Sequence, residues 1–278
     1  MPPDLALPPQ VAAQFTADCG IGDGPGRPAR TVVDRDLPSM ILAVRRARGA
    51  GAAAAGSLLV LAYARRLVWP VLGEHLLHGR WLDPAWANVV IDTDDPGGSF
   101  RIGFVGTPQP AGPAVGEVVT ALVDGHLELL VEQVHRETRV GRRVLWGNVA
   151  VAVAHVFLAL SWSAPHRDAL AGTARDVLAA APRLRGLVSV ESVRHPAADG
   201  DRWMVVWRRT CCLAFRCAAA VRPSYCGTCP VVPHRDRLAS FHRAAGRYPG
   251  RPGGPRRDDD VTPVPDPRRC RTPPRRTP

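Results

Sequence analysis

Apolar runs with helical spacing occupy most of the chain between its two ends. Charged residues interrupt these runs, and Pro or Gly stands near many of their limits. Pro70 is expected to kink or divide the second helix, and Pro182 to end the fifth. The pattern predicts helices over 38–48, 52–79, 115–136, 144–161, 166–181 and 236–247.

Two pairs of short apolar runs have the character of β-hairpins instead. The first pair lies within 88–106, around the turn sequence DDPGG. The second pair joins 186–194 to 202–209 through the turn-rich HPAADGD. The predicted fold class is therefore α+β, mostly helical, with antiparallel β-hairpins and a cysteine-rich segment near the C-terminus.

Composition divides the chain into three parts. Residues 1–35 are rich in Pro and Gly and are expected to form an irregular lead-in. Residues 36–248 hold the predicted helices and hairpins and are expected to be one domain. Residues 249–278 are rich in Pro and Arg and are expected to be a disordered tail.

One segment is apolar enough to raise the question of a membrane span. Residues 144–165 carry no formal charge and approach the length that crosses a bilayer. Asn148 and His155 lie seven residues apart in it and so share one helical face. A buried core helix with a polar stripe is the preferred interpretation; stable membrane insertion is not expected, and peripheral association stays open.

The charge distribution does not favour nucleic acid as the partner. The formal net charge is +11, but residues 234–278 contain 12 Arg and 5 Asp, which leaves +7 there and +4 elsewhere. The first twenty residues lack a basic segment followed by a continuous apolar run, so no secretory signal is predicted. A cytoplasmic location is therefore expected, where thiols stay reduced and clustered cysteines favour metal binding over disulfides.

Five of the seven cysteines lie within 208–231, in RRTCCLAFRCAAAVRPSYCGTCPV. Cys211 and Cys212 are adjacent, and Cys226 and Cys229 follow as a CxxC pair. Four thiolates from two short segments suit a 2Fe-2S cluster, which takes two on each iron. A zinc site is the main alternative, but two neighbouring cysteines chelate one tetrahedral ion poorly. A disulfide between adjacent cysteines needs a distorted peptide.

The run RRTCCLAFR…YCGTCPV resembles the C-terminal signature of the FhuF-like ferric iron reductase family. Residues 142–153, RRVLWGNVAVAV, are similar to the LWGN-type helix of that family, and 125–134 to the histidine-containing helix before it. The resemblance covers roughly residues 120 to 232.

This resemblance implies that Cys211, Cys212, Cys226 and Cys229 bind a 2Fe-2S cluster. The implied activity is the one-electron reduction of ferric siderophores, with electrons from an external ferredoxin or flavoprotein. The loop between the pairs is longer than the family pattern and contains Cys217, which could replace Cys212 as a ligand. Cys19 and Cys270 lie near the ends and are expected to take no part.

Residues around the cysteines allow two interpretations each. Arg208 and Arg209 either attract an anionic partner and make the cluster easier to reduce, or are solvated residues of an edge strand. Trp203 and Trp207 share one strand face and are predicted to be core. Tyr225 either shields the cluster or simply packs.

The histidines carry weaker signals. Glu74, His75 and His78 have a spacing that could bind a metal on one helix, but an exposed polar face is preferred. His126 and His155 could line a substrate pocket, although buried histidines with satisfied hydrogen bonds are the preferred interpretation. Two other functions stay open: a non-catalytic iron-sulfur sensor of iron or redox state, and a zinc-stabilised relative of siderophore-synthesis enzymes.

Overall fold

The computed structural model describes residues 7, 9–19, 26–93, 100–110, 112–164, 167–194, 202–218 and 225–246. The α+β prediction is confirmed: helices dominate, and two small sheets accompany them. The helices are α1 Pro9–Ala12, α2 Ala29–Arg35, α3 Leu37–Arg48, α4 Ala52–His78, α5 Val115–Thr120, a π-helical segment Ala121–Leu127, α6 Glu128–Thr138, α7 Arg142–Ser163, α8 Arg167–Ala180, a 3-10 turn Ala214–Arg216 and α9 His234–Gly246. The strands are β1 Asp18–Cys19, β2 Arg27–Pro28, β3 Val89–Asp92, β4 Arg101–Phe104, β5 Val188–Arg194 and β6 Arg202–Arg208.

Helices α4 and α7 pack against each other at the centre of the molecule. Both are apolar around most of their circumference, which is typical of helices covered on all sides. They are long and apolar enough to cross a membrane, but 72% and 83% of their most apolar windows are buried within the fold. The interpretation of 144–165 as a core helix therefore agrees with the structure. Helix α4 also continues through Pro70 as one helix, so Pro70 does not divide it.

Helices α3 and α6 flank α4, and α8 flanks α7. The predicted helix over 115–136 consists of α5, the π-helical segment and α6 in succession. The wider turn of a π-helix leaves the apolar spacing almost unchanged, which is why the pattern predicted one regular helix. Leu122, Val123, His126 and Leu127 are buried in this segment.

The first predicted hairpin is confirmed as β3 and β4, which pair antiparallel with Val89 opposite Phe104. Strands β2 and β1 extend it to a four-stranded sheet, and β1 pairs parallel to β4. The expectation of an irregular lead-in is thus wrong in part, because α1, β1, β2 and most of α2 form before residue 35. Short edge strands carry too few residues to show a period of two. Cys19 lies in β1 opposite Phe104, not in an unstructured end.

The second hairpin is confirmed as β5 and β6 and packs against α7 and α8. Side chains alternate along β6, so Met204 and Val206 enter the main core. Trp203 and Trp207 face the other way and form a second apolar cluster with Phe241 of α9. Their prediction as core residues is confirmed. The boundaries at residues 35 and 248 stay a prediction, and both 249–278 and Cys270 lie outside the described residues.

Candidate metal centre

Strand β6 leads the chain into the cysteines, as the sequence predicted. The backbone N–H of Arg208 donates to the carbonyl of Thr228 at 3.3 Å, which ties the end of β6 to the CxxC turn. The N–H of Cys229 donates to the carbonyl of Cys226 at 2.9 Å and closes that turn. These two hydrogen bonds set the adjacent pair and the CxxC pair side by side.

The four predicted ligands come together in the structure and are called the four-thiol site: Cys211, Cys212, Cys226 and Cys229. The sulfur atoms of Cys211 and Cys229 are 3.9 Å apart. Cys212 lies near enough to Cys211 and Cys226, and Cys226 near enough to Cys229, for these thiols to shift one another's pKa, which completes a ring of neighbours. None of the four is in a disulfide.

One sulfur–sulfur separation in the ring matches a thiolate metal site, but the four thiols as a set do not have the grouping of such a site. Two thiolates on one tetrahedral metal, each bound at about 2.3 Å, have sulfurs about 3.8 Å apart. The separation of Cys211 and Cys229 matches this value. In the described part of the chain, however, no three or more His, Cys, Asp or Glu side chains are grouped as a metal ion requires. The thiols therefore lie near one another without the grouping that one metal ion requires.

Hydrogen bonds within the ring decide which sulfur ionises. Those from Cys211 and then Cys226 lower the pKa of Cys212, and the positive charge of Arg208 acts in the same direction. Hydrogen bonding with Cys212 raises the pKa of Cys211 and of Cys226. The thiolate, which is the form that binds metals, is thus favoured at the buried Cys212, and hydrogen bonding with Cys226 favours it at Cys229, whose pKa falls to about 6.

A buried network of hydrogen bonds from α4 and α7 holds the backbone of Cys212. The hydroxyl of Ser57 in α4 donates to the carbonyl of Cys212 at 2.8 Å. The side-chain amide of Asn148 in α7 donates to the carbonyl and the hydroxyl oxygen of Ser57, at 2.7 and 2.9 Å. The Arg208 guanidinium donates in turn to the Asn148 side-chain oxygen. Both central helices and β6 therefore fix the position of Cys212.

Helix α7 approaches the cysteine segment so closely that only glycine fits at one position. A Cβ atom on Gly147 would lie 1.8 Å from the hydroxyl oxygen of Thr210 and 2.8 Å from its Cβ. Both separations are shorter than non-bonded atoms tolerate. Gly147 and Asn148 thus bring α7 against residues 208–212 by close approach and by hydrogen bonding.

The two arginines before the site have different surroundings. Arg208 is 4% exposed, and its Nε also donates to the carbonyl of Thr210 at 3.3 Å. Its interpretation as a solvated edge-strand residue is wrong, because the end of β6 lies under the cysteines. Arg209 is exposed, as that interpretation predicts.

Cys217 is a buried residue of the main core. Its side chain is 3% exposed and belongs to the main apolar core. Tyr225 is 40% exposed, and its ring packs against Phe215 with centroids 5.5 Å apart.

His126 is a buried histidine with both ring nitrogens satisfied. Its Nδ1–H donates to the carbonyl of Pro84 at 2.6 Å, so Nε2 accepts from the Tyr63 hydroxyl at 2.7 Å. Its ring stacks on Trp86, and burial lowers its pKa to about 4. His155 differs, because its buried Nε2 has no hydrogen-bond partner among the described residues. Burial, with Arg65 and Arg208 nearby, lowers the pKa of His155 to about 3.

The metal-binding alternative on α4 has no support in the geometry. Glu74 forms an ion pair with Arg80 at 2.6 Å. The Nδ1 of His75 is buried against the loop that contains Gly112, and His78 is exposed at the helix end. The preferred exposed polar face holds for His78, whereas the side chain of Glu74 is only 13% exposed and burial lowers the pKa of His75.

The sequence gives no distinct sign that three residues hold the cysteine segment in place. Ser57 is one small polar residue in an alanine-rich helix, and Thr210 is one residue between arginine and cysteine. Asn148 could be recognised only as a polar residue in an apolar run. Their contacts join segments 91 and 155 residues apart, which no local pattern reveals.

Comparison with known proteins gives one match. A family model described as "Ferric iron reductase FhuF-like transporter" matches residues 57–193. The matched range begins at Ser57, includes α7 and ends within β5, before the four-thiol site. No curated protein and no solved structure matches the chain.

Proposed function

Since the chain belongs to the FhuF-like ferric iron reductase family, we propose that it reduces the Fe(III) of ferric siderophores by one electron through a 2Fe-2S cluster. The cluster ligands would be Cys211, Cys212, Cys226 and Cys229, and Fe(II) would be released in the cytoplasm. The observation that carries this proposal is the ring of four thiols, which two separate segments bring together on a buried support.

The donor set fits such a cluster in number and type. A 2Fe-2S cluster takes four thiolates, two on each iron, and when bound it accepts and passes on one electron at a time. The 3.9 Å separation of Cys211 and Cys229 suits two ligands of the same iron. Cys212, held by Ser57, and Cys226 are then the other two ligands.

The exposure of the four thiols gives the site one accessible side. Cys212 and Cys229 are buried, whereas Cys211 and Cys226 are partly exposed. A ferric complex can therefore approach the Cys211 and Cys226 side, while the protein excludes water from the other. Siderophores bind Fe(III) through hard oxygen donors and hold Fe(II) more weakly, so the metal is released after reduction.

The surroundings of the site favour anionic partners. Residues 202–235 contain six Arg and no Asp or Glu. Arg209, Arg216 and Arg235 among them are exposed. This charge attracts an anionic ferric siderophore and an acidic electron donor, a ferredoxin or a flavoprotein. The reaction balances with one electron from that donor for each Fe(III) converted to Fe(II).

The decisive experiment is to purify the protein anaerobically and determine its iron and acid-labile sulfide. The expected result is a red-brown protein with about two irons and two sulfides per chain. The cluster is then reduced and mixed with a ferric siderophore, and its reoxidation is followed by absorbance. A colourless protein with one zinc would refute the proposal. A cluster that stays reduced beside the siderophore would favour a sensor over a reductase.

Two cysteine substitutions test the ligand set. Cys226→Ser is expected to abolish or distort the visible and EPR spectra of the cluster. Cys217→Ser is the matched control, because Cys217 lies between the two cysteine pairs in the sequence but belongs to the apolar core in the structure. It is expected to leave the spectra unchanged while lowering stability slightly. A loss of spectrum in Cys217→Ser, with Cys226→Ser normal, would overturn the assignment.

A further inference from the structure

Arg208 is a buried cation without a carboxylate partner in the described part of the chain. Its side chain is 4% exposed, and its hydrogen bonds go to two neutral groups, Asn148 and the carbonyl of Thr210. The ion pairs of the described residues all involve other arginines. An unpaired buried charge is strongly destabilising, so a compensating negative charge is expected nearby.

The groups facing Arg208 leave sulfur as the source of that charge. The Arg208 guanidinium donates to the carbonyl of Thr210, the residue before Cys211, and its backbone N–H donates to the carbonyl of Thr228, the residue before Cys229. Burial, together with the charges of Arg65 and Arg208, keeps His155 neutral. Asn148 and Thr210 carry no charge. Metal binding deprotonates the thiols, so the thiolates of the loaded four-thiol site are the anions beside Arg208.

We infer that Arg208 is the fixed counter-cation of the four-thiol site and that Asn148 is its positioning residue. This inference rests on the proposed function. A cluster bound by four thiolates is negatively charged and becomes more so when it takes up an electron. A buried positive charge beside it stabilises the reduced form more than the oxidised form and so raises the reduction potential.

The choice of asparagine at position 148 is part of this arrangement. A carboxylate there would also bind the guanidinium. Its negative charge, however, would offset the effect of the positive guanidinium on the sulfurs. The asparagine oxygen accepts the hydrogen bond from Arg208 and leaves the positive charge intact. Its amide nitrogen binds Ser57, which in turn holds the carbonyl of Cys212. Cation and ligand are thus held by one network.

The test is a redox titration of the cluster-loaded protein and of three variants, followed by visible absorbance and EPR. In Arg208→Gln the ratio of reduced to oxidised cluster at a fixed potential is expected to fall about tenfold, a shift of about 59 mV for one electron. Asn148→Asp, which keeps Arg208 but gives it a carboxylate, is expected to shift the potential in the same direction. Arg209→Gln removes an exposed charge one residue away and is expected to leave the potential unchanged.

A second measurement separates this role from a merely structural one. The melting temperature of the metal-free Arg208→Gln protein should not fall, because Arg208 without a cluster is a buried charge that donates only to neutral groups, and a neutral amide removes its desolvation cost. An unshifted potential in both Arg208→Gln and Asn148→Asp would overturn the inference, as would an equal shift in Arg209→Gln. If Arg208→Gln does not bind a cluster, the reduction potential of the Asn148→Asp variant alone tests the inference. These outcomes differ from a failure of the proposed function, in which the wild-type protein holds no cluster or does not reduce the siderophore.

Discussion

The contact between Gly147 and Thr210 allows a quantitative test of how α7 holds the cysteine segment. In Gly147→Ala the new Cβ would lie 1.8 Å from the Thr210 hydroxyl oxygen and 2.8 Å from its Cβ. Rotation of the Thr210 side chain relieves the first overlap but not the second, so the two backbones must separate. Overpacking of this kind costs about 3 kcal/mol, and the better helix propensity of alanine returns up to about 1 kcal/mol. A net loss of about 2 kcal/mol is expected.

The assay is urea denaturation of the metal-free protein, followed by circular dichroism, with cluster loading measured in parallel. Gly172→Ala is the matched control, because Gly172 also lies inside a helix and a Cβ there would meet no atom within 4 Å. It is expected to stabilise the protein by about 0.5 to 1 kcal/mol. Thr210→Gly removes both clashing atoms and breaks no side-chain hydrogen bond among the described residues. The double variant should therefore show a favourable coupling of about 1 kcal/mol or more. Equal stability of Gly147→Ala and Gly172→Ala would refute the close approach.

Two further predictions concern the buried His126. Tyr63→Phe removes the hydroxyl that donates to Nε2 of His126 and is expected to cost about 1 to 3 kcal/mol in the free energy of unfolding, measured by urea denaturation. The pKa of His126 is about 4 in the folded protein and 6.5 ordinarily, so the unfolded chain binds more protons between these values. The contribution of His126 to the free energy of unfolding should thus fall as the pH drops from about 6.5 to about 4, by up to about 3 kcal/mol. The lowered pKa of His155 adds a fall in the same range. His126→Asn should therefore make the dependence less steep without abolishing it, and an unchanged slope would contradict the assignment.

Local patterns were sufficient where a segment's own residues determine its structure. The spacing of apolar residues predicted α7 and α8 within about two residues, and the turn residues predicted both hairpins. The alternation of Trp203 and Trp207 along β6 predicted that both face a core. These features depend on neighbours in the chain, and the sequence carries that information directly.

The features that sequence reasoning missed depend on contacts between distant segments. Arg208 was open to interpretation as a solvated residue, because nothing near it in sequence shows that its strand ends beneath the cysteines. Cys19 belongs to a strand only because β4 lies beside it. The π-helical segment before α6 differs from an α-helix by one wider turn, which a hydrophobic pattern does not resolve.

The four-thiol site and the region that matches the family depend on each other physically. The matched range, 57–193, ends before the first of the four cysteines, yet it supplies Ser57, Gly147 and Asn148. These residues hold the carbonyl of Cys212, admit Thr210 and bind the buried Arg208. An arrangement of cysteines alone would leave the sulfurs on a loop with no fixed charge beside them. The two central helices give that loop a buried side, an exposed side and a fixed cation, and these are the features that the proposed one-electron centre needs.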